Sequence, residues 1–188
     1  MDFFEATAID IRFLVEEDRM HFTLRTPEQA IDLLMTRRLT RMMLGGIVEL
    51  LMRSNVDIAN AAATHRNDVL LFEHMSAATA WERQSAAAGA VAGTPDTVPE
   101  PGPAAPSAMA GSPRLITKID LTVKGGGLNF VFHDADGPRS TIDLVRDKAH
   151  HLLSFLLERS VEAQWDLQEL YWLHRRTHIV VPDRPHLC

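Results

Sequence analysis

Three arginines in a short segment are the residues of this chain best suited to binding an anion. Arg37, Arg38 and Arg41 lie in TRRLTR, and on a helix they would share one side. They would also stand near the helix N-terminus, where free backbone N–H groups favour negative charge. Glu28 and Asp32 are alternative partners within the chain. The cluster is a candidate site for an acidic protein or for the phosphates of a nucleic acid.

A second candidate surface is the aromatic segment WDLQELYWLHRR in the second half of the chain. Its apolar residues nearly encircle a helix, which is typical of a helix that is buried on more than one side. Packing against the rest of the chain would explain this pattern. Docking onto another protein would explain it as well, since Trp and Tyr are favoured interface anchors. The candidate contact residues are Trp165, Tyr171 and Trp172.

Residues for catalysis or cofactor binding show no recognisable pattern. His174 and His178 are four positions apart, as in some zinc sites, but a third ligand at a suitable spacing is missing. The glycines at 125–127 join two strands, whereas a phosphate-binding loop joins a strand to a helix. Cys188 is the single cysteine. We therefore expect no catalytic, cofactor-binding or metal-binding residues, and we interpret the protein as non-enzymatic. An enzyme whose site forms between two parts of the chain ranks last.

The strands that would position these residues occur twice. Alternating apolar residues predict two strands within AIDIRFLVEEDRMHFTL, and KIDLTVKGGGLNFVF repeats the pattern about 110 residues later. An Ile-Asp pair opens the first strand of each half, at Ile9 and Ile119. A second Ile-Asp pair lies in the third predicted strand of each half, at Ile31 and Ile142. The turns differ, with EED in the first half and GGG in the second.

A helix follows the third strand in each half, because the apolar spacing changes to three and four. Thr36 is a candidate N-cap for the first helix and Asp147 for the second. The pair Gly45-Gly46 predicts a tight contact with another helix, or a kink. A helical extension runs from Val56 to about Arg83 in the first half. In the second half the helix would continue to Arg176.

The predicted fold class is α+β, with two strand-strand-strand-helix repeats that form an internal pseudo-dimer. Residues 1–83 would form the first repeat and its helical extension, and 114–188 the second repeat with a long C-terminal helix and a tail. Residues 84–113 would be a disordered Pro/Ala/Gly-rich linker, because they hold six of the ten prolines and no Lys or Arg. Three strands leave sheet edges open, so the halves would complete each other by pairing edges or packing helices.

Composition narrows the functional classes. The hydrophobic content of 46% is sufficient for a core, and the net charge of −6 disfavours nucleic acid or an anionic membrane as a partner. A single cysteine excludes a disulfide framework within the chain, and the segment MDFFEATAID lacks a signal-peptide pattern. We therefore expect a cytoplasmic protein. The apolar runs are too short for membrane insertion.

These observations favour a protein-binding, assembly or adaptor module, with a chaperone-like role as one form of it. Acidic bodies of paired sheet-and-helix units also occur in secretion chaperones, which is an analogy at the level of fold only. The partner would be another protein, and a homo-oligomer is a further option. The alternative is a single-stranded nucleic-acid-binding protein that uses a sheet face and the arginine cluster. Such a face must be basic and aromatic, and the residues predicted to point outward are basic only in the first half, at Arg19, His21 and Arg25.

Overall fold

The computed structural model describes residues 3–91 and 112–174. The predicted α+β class is confirmed, because two four-stranded sheets are combined with helices. The elements, in chain order, are β1 (Phe4–Ala6), β2 (Ala8–Leu14), β3 (Arg19–Arg25), β4 (Ala30–Thr36), α1 (Arg37–Ser54), α2 (Val56–Asn60), α3 (Arg66–Val91), β5 (Arg114–Leu115), β6 (Lys118–Lys124), β7 (Gly127–Asp134), β8 (Gly137–Leu144), α4 (Arg146–Glu162), a 3₁₀ turn (Gln168–Leu170) and α5 (Tyr171–His174).

Each sheet contains one short strand from the opposite half of the chain. The three long strands of each half pair antiparallel, as the alternating pattern predicts. The sequence pattern does not reveal β1 and β5. β1 pairs in parallel with β8, and β5 pairs in parallel with β4. The sheet orders are therefore β2-β3-β4-β5 and β1-β8-β7-β6. The predicted pairing of edges between the halves occurs at these two places, while a common origin of the halves stays a prediction.

The core lies between the apolar faces of the two sheets and the helices. In the first sheet, cross-strand register places Ile11, Phe22 and Leu33 side by side. In the second sheet, it places Leu121, Phe130 and Ile142 side by side. The rings of Phe22 and Phe132 have centroids 6.2 Å apart, so the two apolar faces contact each other. Period-two alternation thus places one face of each sheet in a shared core.

Helices α1 and α4 each pack on a strand of the opposite half. α1 contacts β6, α4 contacts β2, and the two helices contact each other. Thr36 caps α1 as predicted, because its Oγ1 accepts a hydrogen bond from the N–H of Leu39 at 3.4 Å. The cap position of α4 is Val145, without a side-chain hydrogen bond, and Asp147 lies in the first turn instead. The expectation that Asp147 caps this helix was wrong.

Gly46 allows α1 to approach a strand rather than another helix. A Cβ atom at this position would lie 2.7 Å from Cδ1 of Leu121 on β6. The helix continues without interruption from Arg37 to Ser54. The predicted close contact is therefore present, but its partner is the second sheet.

The long C-terminal helix predicted to reach Arg176 is interrupted. α4 ends at Glu162, and Gln164 adopts a positive φ of 54°. This reversal brings Trp165 into the core, where its indole Nε1 donates a hydrogen bond to Asp18 Oδ1 at 2.6 Å. Burying the large indole and satisfying its N–H stabilise the break in the helix.

The helical extension of the first half is longer than predicted. α2 and α3 replace one continuous helix, and α3 continues past Arg83 to Val91. The added residues, QSAAAGAV, are rich in alanine, which has the highest helix propensity of any residue. The rest of the predicted disordered linker, 92–111, lies outside the described residues. The predicted tail, with His178 and Cys188, lies outside them as well.

Candidate functional site

A groove of about 400 Å³ runs along the outer edge of β2. We call it the β2 groove. One side is formed by Thr7 to Ile11, and the other side is formed by α4. Within the described residues, β2 pairs only with β3, so its other edge has no strand partner there. The lining residues are Thr7, Ala8, Ile9, Asp10, Ile11, Trp81, Ile142, Leu144, Lys148, His151, Leu152 and Phe155.

Aromatic rings form the upper wall of the β2 groove. Trp81 of α3 stacks on His151 of α4 with ring centroids 3.9 Å apart. His151 and Phe155 form an edge-on contact with ring centroids 4.5 Å apart. Trp81 is 42% exposed and Phe155 is 37% exposed, while Leu152 beneath them is buried. Large apolar side chains that stay half-exposed beside an open strand edge are typical of a binding surface.

A polar cluster fixes α3 against α4 and so positions this wall. Arg146 of α4 donates hydrogen bonds to both carboxylate oxygens of Glu73 on α3. The same guanidinium group donates to Ser54 Oγ at 2.7 Å and to the carbonyl of Leu51 at 2.8 Å, at the end of α1. Asn55 Nδ2 donates to Glu73 Oε2 at 2.9 Å. Three helices therefore meet at one guanidinium–carboxylate pair.

Two buried histidines extend this cluster. His74 Nδ1 lies 3.2 Å from His150 Nδ1, and His74 Nε2 lies 3.2 Å from Ser154 Oγ. His150 Nε2 lies 3.2 Å from Glu73 Oε1, within ion-pairing distance but without the alignment of a hydrogen bond. A proton on His150 Nε2 suits the facing carboxylate. We therefore assign donation from Ser154 to His74 and from His74 to His150.

Burial and neighbours shift the pKa values of these groups. Burial would raise the pKa of Glu73, but hydrogen bonds from Arg146 and Asn55 outweigh it and lower the pKa to about 2. Burial lowers the pKa of His74 to about 4, with a smaller contribution from His150. Burial also lowers the pKa of His150, against the opposing effect of Glu73. At neutral pH both imidazoles are uncharged and Glu73 is ionised.

The arrangement of Ser154, His74, His150 and Glu73 resembles a hydroxyl-to-carboxylate relay. A base with a pKa of about 4 accepts a proton poorly at neutral pH. Ser154 also lines neither the β2 groove nor the second groove described next. We interpret the cluster as a structural contact that holds α3 against α4.

A second groove, of about 550 Å³, runs beside β6, and we call it the β6 groove. β6 is the edge strand of its sheet, and the N-terminal part of α1 faces it. The β2 and β6 grooves share a plan, because each lies between an edge strand of one half and a helix of the other. The lining residues are Thr36, Arg38, Leu39, Met42, Met43, Leu115, Ile116, Thr117, Lys118, Ile119 and Leu121.

One residue of the predicted arginine cluster lines the β6 groove. Arg37, Arg38 and Arg41 are exposed, and Arg38 lines the groove. Arg41 forms an ion pair with Glu169 at 2.5 Å. Within residues 3–91 and 112–174, no carboxylate lies within ion-pairing distance of Arg37 or Arg38. Asp32, one of the partners considered from the sequence, contacts His21 and Thr23 instead.

The predicted aromatic contact residues do not form one surface. Trp165 is only 3% exposed and contacts Phe13 with ring centroids 5.8 Å apart. Trp172 is half-buried and packs on the core. The backbone of Tyr171 begins α5, and its side chain lies outside the description. For Trp165 and Trp172, packing within the chain, the first reading from the sequence, accounts for the apolar pattern.

The polar face of the first sheet lacks the features of a nucleic-acid platform. Its cations contact neighbouring groups, with Arg25 3.0 Å from Asp10 and Arg12 donating to His21 at 2.9 Å. His21 is buried, and burial together with Arg12 lowers its pKa. Stacking of bases requires exposed aromatic rings, and the described residues of β2, β3 and β4 place no Phe, Tyr or Trp on this face.

The described part of the chain contains no group of three or more His, Cys, Asp or Glu side chains that could hold a metal ion. In that same part, no helix is both long and apolar enough to cross a membrane.

The residues that shape the β2 groove were missed in the sequence. Trp81 and Phe155 lie in separate helices, and neither belongs to a motif. A signal was present, because a Trp in the polar, alanine-rich segment AATAWER has no apolar neighbours to bury it. That signal marks an exposed aromatic residue but does not reveal what lies opposite.

Comparisons with known proteins do not identify the chain: no protein-family model, no curated protein and no solved structure matches it.

Proposed function

We propose that this protein binds an extended, apolar segment of another protein along the β2 groove. The observation that carries the proposal is an edge of β2 without a strand partner among the described residues, which lines a groove of about 400 Å³ together with half-exposed Trp81 and Phe155. A strand edge supplies backbone hydrogen bonds, and adjacent apolar pockets accept alternate side chains.

The dimensions and charge of the groove define the ligand. Five consecutive residues, Thr7 to Ile11, line it, which corresponds to roughly 17 Å of extended chain. Asp10 and Lys148 contribute opposite charges, so the lining has no net charge. The groove therefore favours a segment of about five residues in which every second side chain is apolar. An adaptor would recognise one such segment, whereas a chaperone-like protein would hold many.

The proposal is tested with a fluorescein-labelled peptide of about eight residues that alternates leucine and serine. We expect micromolar binding by fluorescence anisotropy. N-methylation of alternate backbone amides should weaken it at least tenfold, because two or more edge hydrogen bonds of about 1 kcal/mol each are lost.

A pair of variants locates the peptide on the protein. Trp81→Ala should weaken binding about tenfold, because an exposed aromatic anchor is removed. Phe72→Ala is the matched control, since Phe72 lies on the same helix and is 74% exposed but lines neither groove. Equal affinities for the parent and N-methylated peptides, or equal effects of the two variants, would exclude binding at the β2 edge.

A further inference from the structure

The β6 groove differs from the β2 groove in its charge. Its lining residues include Arg38 and Lys118 but no Asp or Glu. Lys118 lies 2.8 Å from Asp120, so part of its charge is compensated. Arg38 has no carboxylate within ion-pairing distance among the described residues, and neither does Arg37 beside it. The mouth of the groove is therefore basic on a chain whose net charge is −6.

The floor of the β6 groove is apolar and adaptable. Met42 is 61% exposed at its rim, and Leu39, Ile119 and Leu121 are partly buried residues that pack against the core. Methionine side chains adjust to different ligand shapes because they are unbranched and flexible. The residues of α1 that line the groove, from Arg38 to Met43, precede Gly46, where the helix packs closely on Leu121 of β6.

The outer edge of β6 has no strand partner among the described residues. β6 pairs only with β7 within the described residues. An extended chain placed along this edge would turn alternate side chains to opposite sides. One set would lie on the apolar floor at Leu39 and Ile119, and the other set would point outward, toward the rim where Arg38 lies.

We propose that the β6 groove is a second docking site, which binds an extended segment of a partner protein that alternates apolar and acidic residues. The acidic side chains would pair with Arg38 and Arg37, and the apolar side chains would contact Met42 and Leu39. The site is distinct from the β2 groove, and it does not depend on the function proposed for that groove.

The test compares three labelled peptides of about eight residues, in which leucine alternates with glutamate, serine or lysine. We expect the glutamate peptide to bind at least fivefold more tightly than the lysine peptide at low salt, and the difference to shrink as salt increases. Equal affinity for the glutamate and lysine peptides would overturn the proposal.

Matched variants assign the glutamate peptide to this groove. Arg38→Gln should weaken its binding about fivefold, since a single exposed charge pair contributes up to about 1 kcal/mol. Arg53→Gln should change it less than twofold, because Arg53 lies on the same helix but pairs with Glu49 and is absent from the groove. Equal effects of the two variants would contradict the proposal.

The Trp81→Ala variant distinguishes binding in the β6 groove from binding in the β2 groove. The affinity for the glutamate peptide should be unchanged in this variant, because Trp81 lines only the β2 groove. Loss of glutamate-peptide binding would place that peptide in the β2 groove and refute a second site. Sedimentation at increasing protein concentration gives an independent check, since a dimer that the glutamate peptide dissociates would assign the β6 edge to a second copy of this chain and overturn the proposal of a partner protein.

Discussion

Trp81 and His151 stack with ring centroids 3.9 Å apart and ring planes inclined by 29°, although they belong to different helices. The stack holds a half-exposed indole over the β2 groove instead of leaving it free in solvent. Seven residues before Trp81 on α3, His74 contacts His150, the neighbour of His151 on α4. The buried polar cluster and the exposed aromatic wall therefore lie on one helix–helix contact.

Replacement of His151 tests whether the stack prepares the groove for binding. His151→Ala should weaken binding of the leucine-serine peptide by about threefold to tenfold, because an aromatic pair contributes about 0.5–1.5 kcal/mol and Trp81 would lose its fixed position. His151→Phe should restore most of the affinity, since it retains a ring under the indole. Fluorescence anisotropy measures both variants. A His151→Phe protein as weak as His151→Ala would show that the imidazole contributes something other than stacking.

The buried histidines predict a loss of stability in mild acid. The unfolded chain protonates His74 at its ordinary pKa of 6.5, whereas the folded protein does so only at about 4. Between these values the unfolded state binds the additional proton, so the free energy of unfolding falls as pH falls, by roughly 3 kcal/mol at most. Glu73 continues the trend from pH 4.5 toward about 2, because its carboxylate must be protonated against Arg146.

Urea denaturation across pH 7 to 4 measures this loss. His74→Gln should flatten the pH dependence, because the amide retains a contact with Ser154 and does not titrate. His65→Gln is the control, since His65 is an exposed histidine at the N-terminal end of the same helix. The interpretation fails if His74→Gln and the parent protein lose stability in parallel.

The Glu73–Arg146 pair should contribute more to stability than an exposed ion pair. Glu73→Gln leaves a largely buried guanidinium without its anion, and we expect a loss of about 2–4 kcal/mol. Glu49→Gln removes the exposed pair between Glu49 and Arg53 on α1 and should cost less than about 1 kcal/mol. Urea denaturation at pH 7 gives both values. Similar losses of stability in the two variants would argue against the interpretation that Glu73 holds α3 against α4.

The adjacent glycines of α1 should respond to alanine in opposite directions. A Cβ at Gly45 would have no heavy atom within 4 Å, so Gly45→Ala should stabilise the protein by up to about 1 kcal/mol through helix propensity. A Cβ at Gly46 would lie 2.7 Å from Leu121 Cδ1, and Gly46→Ala should cost about 1–2 kcal/mol by overpacking. Thermal unfolding of both variants tests this, and stabilisation by Gly46→Ala would mean that α1 stands farther from β6.

The sequence predicts well the elements that depend on local patterns. Alternation places β2, β3, β6 and β7, and Thr36 marks the start of α1. Positive φ at Gly125 and Gly126 agrees with the turn predicted at the triple glycine. The arginine cluster is also evident in the sequence, because charge density is a local property. The sequence does not reveal that Arg38 lies beside β6, since β6 begins about 80 residues farther along the chain.

Three features depend on contacts that sequence periodicity does not encode. β1 and β5 are too short to show alternation, and they become strands only because β8 and β4 present open edges. The helix after α4 breaks because Trp165 gains a buried position and a hydrogen bond to Asp18. The buried polar cluster of His74, His150 and Glu73 combines residues from two helices that share no motif.

The sequence by itself determined the α+β class, two sheet-and-helix halves and an apolar face on each sheet, because side-chain alternation and helix capping act over a few residues. Only the tertiary structure decided that a short strand of each half pairs with the sheet of the other half, and that α1 and α4 each pack on a strand of the opposite half. It also decided that Trp81 and Arg38 line two separate grooves. The physical reason is that a groove is formed by the distance between elements, and that distance is set by how the whole core packs.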